Sequence, residues 1–451
     1  MNSLQRNWLV SIISIAIILR LGVAIYMGKQ VIDMPGIYDQ ISYDALAQRV
    51  VTGHGFSFAQ PWWPATAANA PTAHWSFLYT LYLAAVYYVF GIFPLAARII
   101  QAILAGIFMP LLVYRLANRV FGQLTGLAAA AISAVYIYFC YYAAAIMTET
   151  FFILGILWSF DLAIGIRYTK NPSKSQWFLL GIAITITVLL RQTFLPVIGL
   201  ICLWLWYAAK GARVKIIKGF SISVIILILG IAPWTIRNYR VFHQFVLLNT
   251  NAGYAFYWSN HPIWGTNFPD VLPQGFAWQS LIPQNLLGLD EASLEKELLH
   301  RSLQIIVSDP WRYVLLSLSR LEDQFKFWPT TDSPLISNLS RMGSFGLFLP
   351  FMCYGTWLAL FRAKRYKLIN DTAVYHKFSR VSLWLSTPVA LWLFFFITYT
   401  IMHLASWAAI RYRLPTDALM IIFAAVGIVD LYNRIILKVN HRRRISEAYN
   451  G

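Results

Sequence analysis

Hydrophobic positions along this chain fall into two patterns. Most form unbroken runs, at 9–26, 98–117, 124–147, 149–167, 176–190, 193–209, 216–234, 343–361, 383–403 and 413–432. A helix crossing a hydrocarbon core needs roughly 18–20 such residues, and 176–190 and 98–117 are borderline in length. Elsewhere apolar residues recur at helical spacing. In 39–51 (DQISYDALAQRVV), Tyr43, Leu46, Ala47 and Val50 lie at i, i+3, i+4 and i+7, which predicts an amphipathic helix. A second begins at Asp290, with Leu294, Leu298 and Ile305 on one face and Pro310 ending it. The run 75–91 is apolar and nearly spans. Counting it as a span would turn the basic segments after Leu116 and Ile166 outward. Its tyrosines (Tyr79, Tyr82, Tyr87 and Tyr88) suit a helix lying in the outer interface instead. The pattern therefore predicts an all-α polytopic membrane protein, one domain over 1–451, with about ten transmembrane helices. Two large extracytoplasmic loops, 27–97 and 237–341, carry the interfacial helices.

Composition agrees: 59% of residues are hydrophobic and 12% charged, against about 25% charged in a soluble domain. The first run follows Arg6, is too long for a secretory signal and lacks a small-x-small cleavage site, so it reads as an uncleaved helix. A net charge of +18 would suggest nucleic acid in a soluble protein, but here the cations sort by side. One side collects Arg6, Arg115, Arg119, Arg167, Lys170, Lys174, Lys210, Arg213, Lys215 and Lys218. Arg362, Lys364, Arg365, Lys367, Lys377, Arg380, Arg434, Lys438 and Arg442 to Arg444 join them, with only Asp371 and Glu447 as acids. The positive-inside rule makes that side cytoplasmic, with both termini, and makes the bilayer rather than nucleic acid the partner. Asp33, Asp39, Asp44, Glu149, Asp270 and Asp332 fall on the other side. Cys140, Cys202 and Cys353 lie within predicted spans and read as apolar packers.

The candidate chemistry faces outward. From spacing alone, Asp39 reads first as the N-cap of its helix. Asp44, five positions on, sits about 140° around that helix, so the two make no acid–base dyad. Glu149 stands at a helix–helix corner at membrane depth, where an ionisable group is a functional candidate, although a helix N-terminus also favours a glutamate. Arg20 inside the first span reads as snorkelling outward. Arg191, Arg237 with Asn238, and Arg411 with Arg413 cluster at the outer face, where guanidinium forks suit phosphate oxygens. His54, His74 and His261 show no metal-ligand spacing. A divalent metal is compatible with the carboxylates but nothing indicates one, and no nucleotide or hydrolase motif is present.

The chain resembles the lipid-dependent glycosyltransferases of C-type fold, within them the protein O-mannosyltransferase and aminoarabinose-transferase group, glycosyltransferase family 39-like. The resemblance rests on Arg20, Asp39-x-x-x-Tyr43-x-x-Leu46-Ala47, Gly53-His54-Gly55-Phe56, Pro71-Thr72-Ala73, Val89-Phe90-Gly91 and Thr148-Glu149. Pro233-Trp234-x-x-Arg237-Asn238-Tyr239 and Arg411-Tyr412-Arg413-Leu414-Pro415 complete it. It departs at Gln40, where the family has Glu after the Asp, and at Ala73-His74-Trp75-Ser76, where a Pro-Pro or Lys-Pro pair is usual.

The resemblance implies inverting sugar transfer from a polyprenyl phosphate to an extracytoplasmic lipid, glycan or protein. It implies Asp39 as general base, with Glu149 orienting the acceptor or assisting. Tyr43, Asp44, Arg191, Arg237, Asn238 and Arg411 would contact substrate, and His74 would stand in for the missing phosphate-binding cation. A transporter or flippase of lipid-linked sugars is the rival reading. It wants polar or broken helices at the bilayer midplane, where Asp161 and Asp430 are the main acids.

Overall fold

The computed structural model describes residues 3–209, 213–268, 272, 277–331, 333–361 and 380–450, with side chains excepted at 380–382 and 438–450. Asp270, Asp332, Lys210, Asp371 and the basic stretch 362–377 lie outside the described residues. Among them the chain is helical throughout: α1 (Ser3–Met27), α2 (Asp39–Val51), α3 (Phe77–Phe90), α4 (Pro94–Phe121), α5 (Gln123–Val135), α6 (Ile137–Ala144), α7 (Glu149–Tyr168), α8 (Lys174–Leu190), α9 (Leu195–Ala208), α10 (Arg213–Phe242), α11 (Ala252–Asn260), α12 (Glu291–Ser308), α13 (Pro310–Phe325), α14 (Leu335–Arg341), α15 (Leu347–Phe361), α16 (Arg380–Leu385), α17 (Pro388–Ala405) and α18 (Ile410–Asn450).

The chain is a polytopic membrane protein. Among the described residues, seven helical stretches are long and apolar enough to cross a bilayer: α1, α4, α7, α10, α14–α15, α17 and the first part of α18. The expected span at 124–147 is instead broken: α5 and α6 meet at Tyr136 with a bend of 54°. α8 and α9 fill two further expected positions as shorter apolar helices. The last two spans begin elsewhere than expected. Thr387 caps α17 ahead of Pro388, a residue suited to a helix's first turn, and α18 starts at Ile410, which takes Arg411 into its first turn.

Small residues set the helix packing. α1 buries Ala16, Arg20 and Ala24 while Ile15, Ile18 and Ile25 face out. A Cβ on Gly106 of α4 would collide with Ile17 of α1, and one on Gly355 of α15 with the Phe423 carbonyl of α18. Such backbone proximity is the usual means of packing helices where lipid removes the hydrophobic drive.

The 27–97 and 237–341 segments pack against each other. α2 lies along α3, whose tyrosines mostly turn inward rather than toward an interface. Tyr79 donates to Gln101 Oε1 at 2.9 Å and Tyr82 to the Ala97 carbonyl at 2.7 Å, Tyr87 donates to Asp44, and Tyr88 alone is fully exposed. In the second loop, Asp290 caps α12, and Leu294 and Leu298 pack on Tyr254, Tyr257 and Trp258 of α11. Glu291 fastens the loops together. Its buried carboxylate accepts from Thr66 Oγ1 (2.8 Å) and Ala73 N (2.7 Å) in the first loop and from Thr250 Oγ1 (2.6 Å) in the second.

Candidate active site

The site is built where helices stop. A helix that ends inside a bundle leaves carbonyls without partners, and this chain satisfies them with buried side chains from neighbouring helices. Arg20 of α1, expected to snorkel, is fully buried and donates to Ser133 O (2.9 Å) and Ala134 O (3.1 Å) at the α5–α6 break. Arg98 and Gln101 of α4 do the same at the end of α6. Arg98 holds the Ala144 carbonyl and Gln30 O, and Gln101 Nε2 reaches Tyr142 O, Ala143 O and Ala145 O. This frees residues 145–148 from helix and delivers Glu149 to the first position of α7. Gln40 is fully buried: its amide nitrogen donates to Ile32 O and its oxygen accepts from Arg98 at 3.2 Å. A glutamate could fill only the accepting half of that role.

Four of the residues singled out in the sequence meet above this floor. Arg411 Nη1 lies 2.8 Å from Asp39 Oδ2, and its Nε lies 3.9 Å from Glu149 Oε1. Arg191, just past the end of α8, pairs with the same Glu149 oxygen and donates from Nε to Thr148 Oγ1 at 2.8 Å. Asp39–Arg411–Glu149–Arg191 is thus a continuous chain of alternating charge. Tyr412 supports both guanidinium groups, 5.6 Å from Arg191 and 5.0 Å from Arg411, and His403 stacks on its other side at 4.6 Å. Exposure separates the acids: the Glu149 side chain is 2% exposed, Asp39 26%. Asp39 is the carboxylate an incoming molecule can reach.

Asp39 is not the helix cap that spacing suggests. The cap position of α2 falls on Tyr38, which makes no side-chain capping bond, and the Asp39 carboxylate goes to Arg411. Tyr43, one turn along, accepts from Ser76 N at 3.4 Å; burial first, then Asp39, raises its phenol pKa.

The other expected residues lie elsewhere. Asp44 turns from Asp39 to α3, where it accepts from Tyr87 and from Gln48 Nε2 (2.8 Å), and burial raises its pKa. His74 is enclosed by Trp63, Trp75 and Tyr254 at 5.1–5.5 Å, and burial lowers its pKa, so it is neutral rather than a stand-in cation. Arg237 donates to Thr72 O (3.0 Å) and Asn238 Oδ1, and Asn238 holds Val246 O and Leu248 O, so this pair secures the loop after α10. Arg413 pairs with Asp417 at 3.2 Å and faces Phe345. Among the described residues no three His, Cys, Asp or Glu side chains converge as metal ligands.

The helical bundle is similar in fold to solved chains of an archaeal oligosaccharyltransferase. The archaeal oligosaccharyltransferase AglB from Archaeoglobus fulgidus, in complex with an inhibitory peptide and a dolichol-phosphate, matches with a TM-score of 0.57 and 14% identity over 98% of this chain and 52% of its own. Its apo form matches equally, at 0.57 and 14%, over 99% of this chain and 53% of its own. ArnT from Cupriavidus metallidurans, bound to undecaprenyl phosphate, aligns with a TM-score of 0.41 and 12% identity over 93% of this chain and 78% of its own. The chain spans about half the length of the oligosaccharyltransferase chains it matches. Residues 74–236 match the family model described as dolichyl-phosphate-mannose-protein mannosyltransferase. No curated protein matches the chain.

Proposed function

We propose that the chain transfers a sugar, with inversion, from a polyprenyl-phosphate donor to a lipid, glycan or protein acceptor outside the cytoplasm. The observation that carries this reading is the alternation of Asp39, Arg411, Glu149 and Arg191, with Glu149 buried and Asp39 open to an incoming molecule. The family match over residues 74–236 and the shared fold support it.

The geometry fits an exchange of partners. A donor phosphate brings two or more anionic oxygens to guanidinium forks that already hold carboxylates. As phosphate takes Arg411, the Asp39 carboxylate loses its ion pair and turns to the acceptor hydroxyl or amine. Asp39 removes that proton as the acceptor attacks the anomeric carbon; the bond from that carbon to the phosphate oxygen breaks, and polyprenyl phosphate leaves. Arg411 and Arg191 stabilise the charge that grows on the departing phosphate. Glu149, shared by both arginines, keeps them a fixed distance apart. The transporter reading lacks comparable support. Asp161 is tied to Arg115 and Arg119, Asp430 to Arg434 and Tyr354, and Asp417 to Arg413 and Tyr136.

In the proposed orientation both termini are cytoplasmic and the protein sits in the plasma (inner) membrane. Single cysteines at Lys170 and Lys215 then resist an impermeant reagent in intact cells, while those at Asp44, Asn267 and Ser293 react. Labelling of position 170 from outside overturns the ten-span arrangement. The reaction itself is tested by mass spectrometry of envelope glycans and glycolipids from cells with and without the gene. A modification that disappears on deletion and returns with the wild-type chain names sugar and acceptor; identical profiles refute the transferase reading.

A further inference from the structure

α13 is inside out. Its exposed stripe is Trp311, Val314, Leu318 and Leu321, with Trp311 69% exposed. Its opposite face, packed on α17 and α18 and hydrogen-bonded to the end of α11, carries Arg312, Leu316, Arg320 and Gln324; Leu316, set against Trp264 and Phe268, is fully buried, and so are Arg320 and Gln324. An amphipathic helix on a water-facing cap turns its apolar stripe inward. This one turns guanidinium groups inward and an indole outward, so what covers its outer face is not water.

The stripe does not end with the helix. It continues through Phe327 and Trp328 to Leu335, Ile336 and Leu339 of α14, all exposed, and α14 begins the membrane span that runs through α15. α12, which packs against α13, exposes Leu303 and Val307 as well. Exposed apolar side chains that run along the chain from α13 into a membrane span, with Trp311 and Trp328 among them, match the interfacial zone of a bilayer.

The buried face is equally specific. Arg320 has no acidic partner; it donates to Leu404 O (2.7 Å), Ser259 O and Asn260 Oδ1 (3.1 Å). Tyr313 donates to Ala405 O at 3.1 Å, and Gln324 O accepts from Arg413 at 2.9 Å. These bonds grip both ends of the turn from Leu404 to Arg413. Within that turn lie Trp407, whose carbonyl meets His403 Nδ1 at 3.1 Å, and Arg411.

We infer that α13 is a strut seated in the outer lipid leaflet by its Trp311–Val314–Leu318–Leu321 stripe, and that its polar face fixes the turn presenting Arg411. The lipid seat stands apart from the proposed chemistry; the role toward Arg411 rests on it.

Fluorophores on Val314→Cys and Leu318→Cys, with Cys140, Cys202 and Cys353 replaced, are read in lipid nanodiscs. Nitroxide-bearing phospholipid quenches both and iodide quenches neither, whereas a label at Glu297→Cys on α12 shows the reverse. Iodide quenching at 314 and 318 overturns the lipid seat. Shielding from both quenchers also overturns it, because the stripe then docks on protein. Hydroxyl-radical footprinting of the unmodified chain in nanodiscs asks the same question should the cysteine-free background not fold: Trp311 escapes oxidation if lipid covers it and is oxidised if it does not. The strut is tested by Val314→Lys with Leu318→Lys, for which undecaprenyl phosphate binds about tenfold more weakly, the scale of effect a displaced site residue produces. Unchanged affinity in that variant, while Arg411→Lys still weakens binding, removes the strut and leaves the proposed site standing. Unchanged affinity in both indicts the site itself.

Discussion

Buried arginines serve this protein in two ways, and the contrast separates scaffold from chemistry. Among the described residues, Arg20, Arg98 and Arg320 have no carboxylate partner; each spreads its donors over backbone carbonyls or side-chain amides at helix ends. Their Nε atoms are buried without any partner. Arg191 and Arg411 sit against Glu149 and Asp39 and have no such orphaned atom. A carbonyl at a helix terminus cannot leave its guanidinium without exposing an unpaired polar group in a dry bundle. A carboxylate on a side chain can rotate away when another anion arrives. The first group is therefore fixed, and the second is exchangeable.

The sharpest break of this contrast is Asp39→Asn. Asparagine keeps the shape and an acceptor for Arg411, so the fold and binding of polyprenyl phosphate persist. It cannot take the acceptor proton, and turnover falls by roughly 10²–10⁴-fold, the usual worth of a general base. Asp44→Asn should cost far less, because Asp44 faces Tyr87 rather than the arginines. Near-normal turnover for Asp39→Asn would return that residue to the scaffold.

Arg98→Leu probes the fixed group. It strands the Ala144 carbonyl, Gln30 O and Gln40 Oε1, at about 1–3 kcal/mol per unpaired buried group. The loss outweighs the relief of removing a buried charge, so the variant should aggregate on extraction and show a much lower Tm. Arg411→Lys should do the opposite: normal extraction and Tm, with undecaprenyl phosphate bound about tenfold more weakly for want of the bidentate fork. If Arg411→Lys destabilised the protein as Arg98→Leu does, the two groups would be one.

The exchangeable group was legible in the sequence, and the fixed group was not. Glu149, Arg191 and Arg411 each stand at a predicted helix end beside an apolar run, where cost marks an ionisable residue, whereas Asp39 reads from spacing as a helix cap and is singled out by the resemblance. That they form one site depends on packing between residues up to 372 positions apart, from Asp39 to Arg411, and no local pattern carries it. Arg98 and Gln101 fall inside the run expected at 98–117 and are not singled out, because the broken end of α6 that they satisfy looks like part of a continuous run at 124–147. Arg237 shows the converse. Its motif and its place at a helix exit resemble those of Arg411, yet its partner is the Thr72 carbonyl. Outward position identified candidates, and only the partner's chemistry sorted them.

The smallest effect concerns the seam between the two outer loops, and it tests whether exchangeable charge is confined to the arginine cluster. His74 is shut among Trp63, Trp75 and Tyr254, and burial lowers its pKa below the ordinary 6.5; the carboxylate of Glu291 opposes this but less strongly. The unfolded chain therefore binds a proton at His74 before the folded chain does. Above pH 6.5 both states hold the ring neutral and it adds no pH dependence. As pH falls from 6.5 toward the lowered folded value, the unfolded state gains protons that the folded state refuses. Stability then declines by at most about 1.4 kcal/mol per pH unit, and the decline stops once the folded ring also protonates. Tm of the wild-type chain should thus fall more steeply between pH 7 and 5.5 than that of His74→Gln, whose side chain does not titrate, whatever constant offset the lost ring contacts bring. Parallel profiles would mean that burial leaves the pKa of His74 where the unfolded chain has it; only a wild-type Tm that gains on that of His74→Gln as pH falls would mean that the folded ring holds its proton more tightly and stands as a second cation near the Asp39–Arg411 pair.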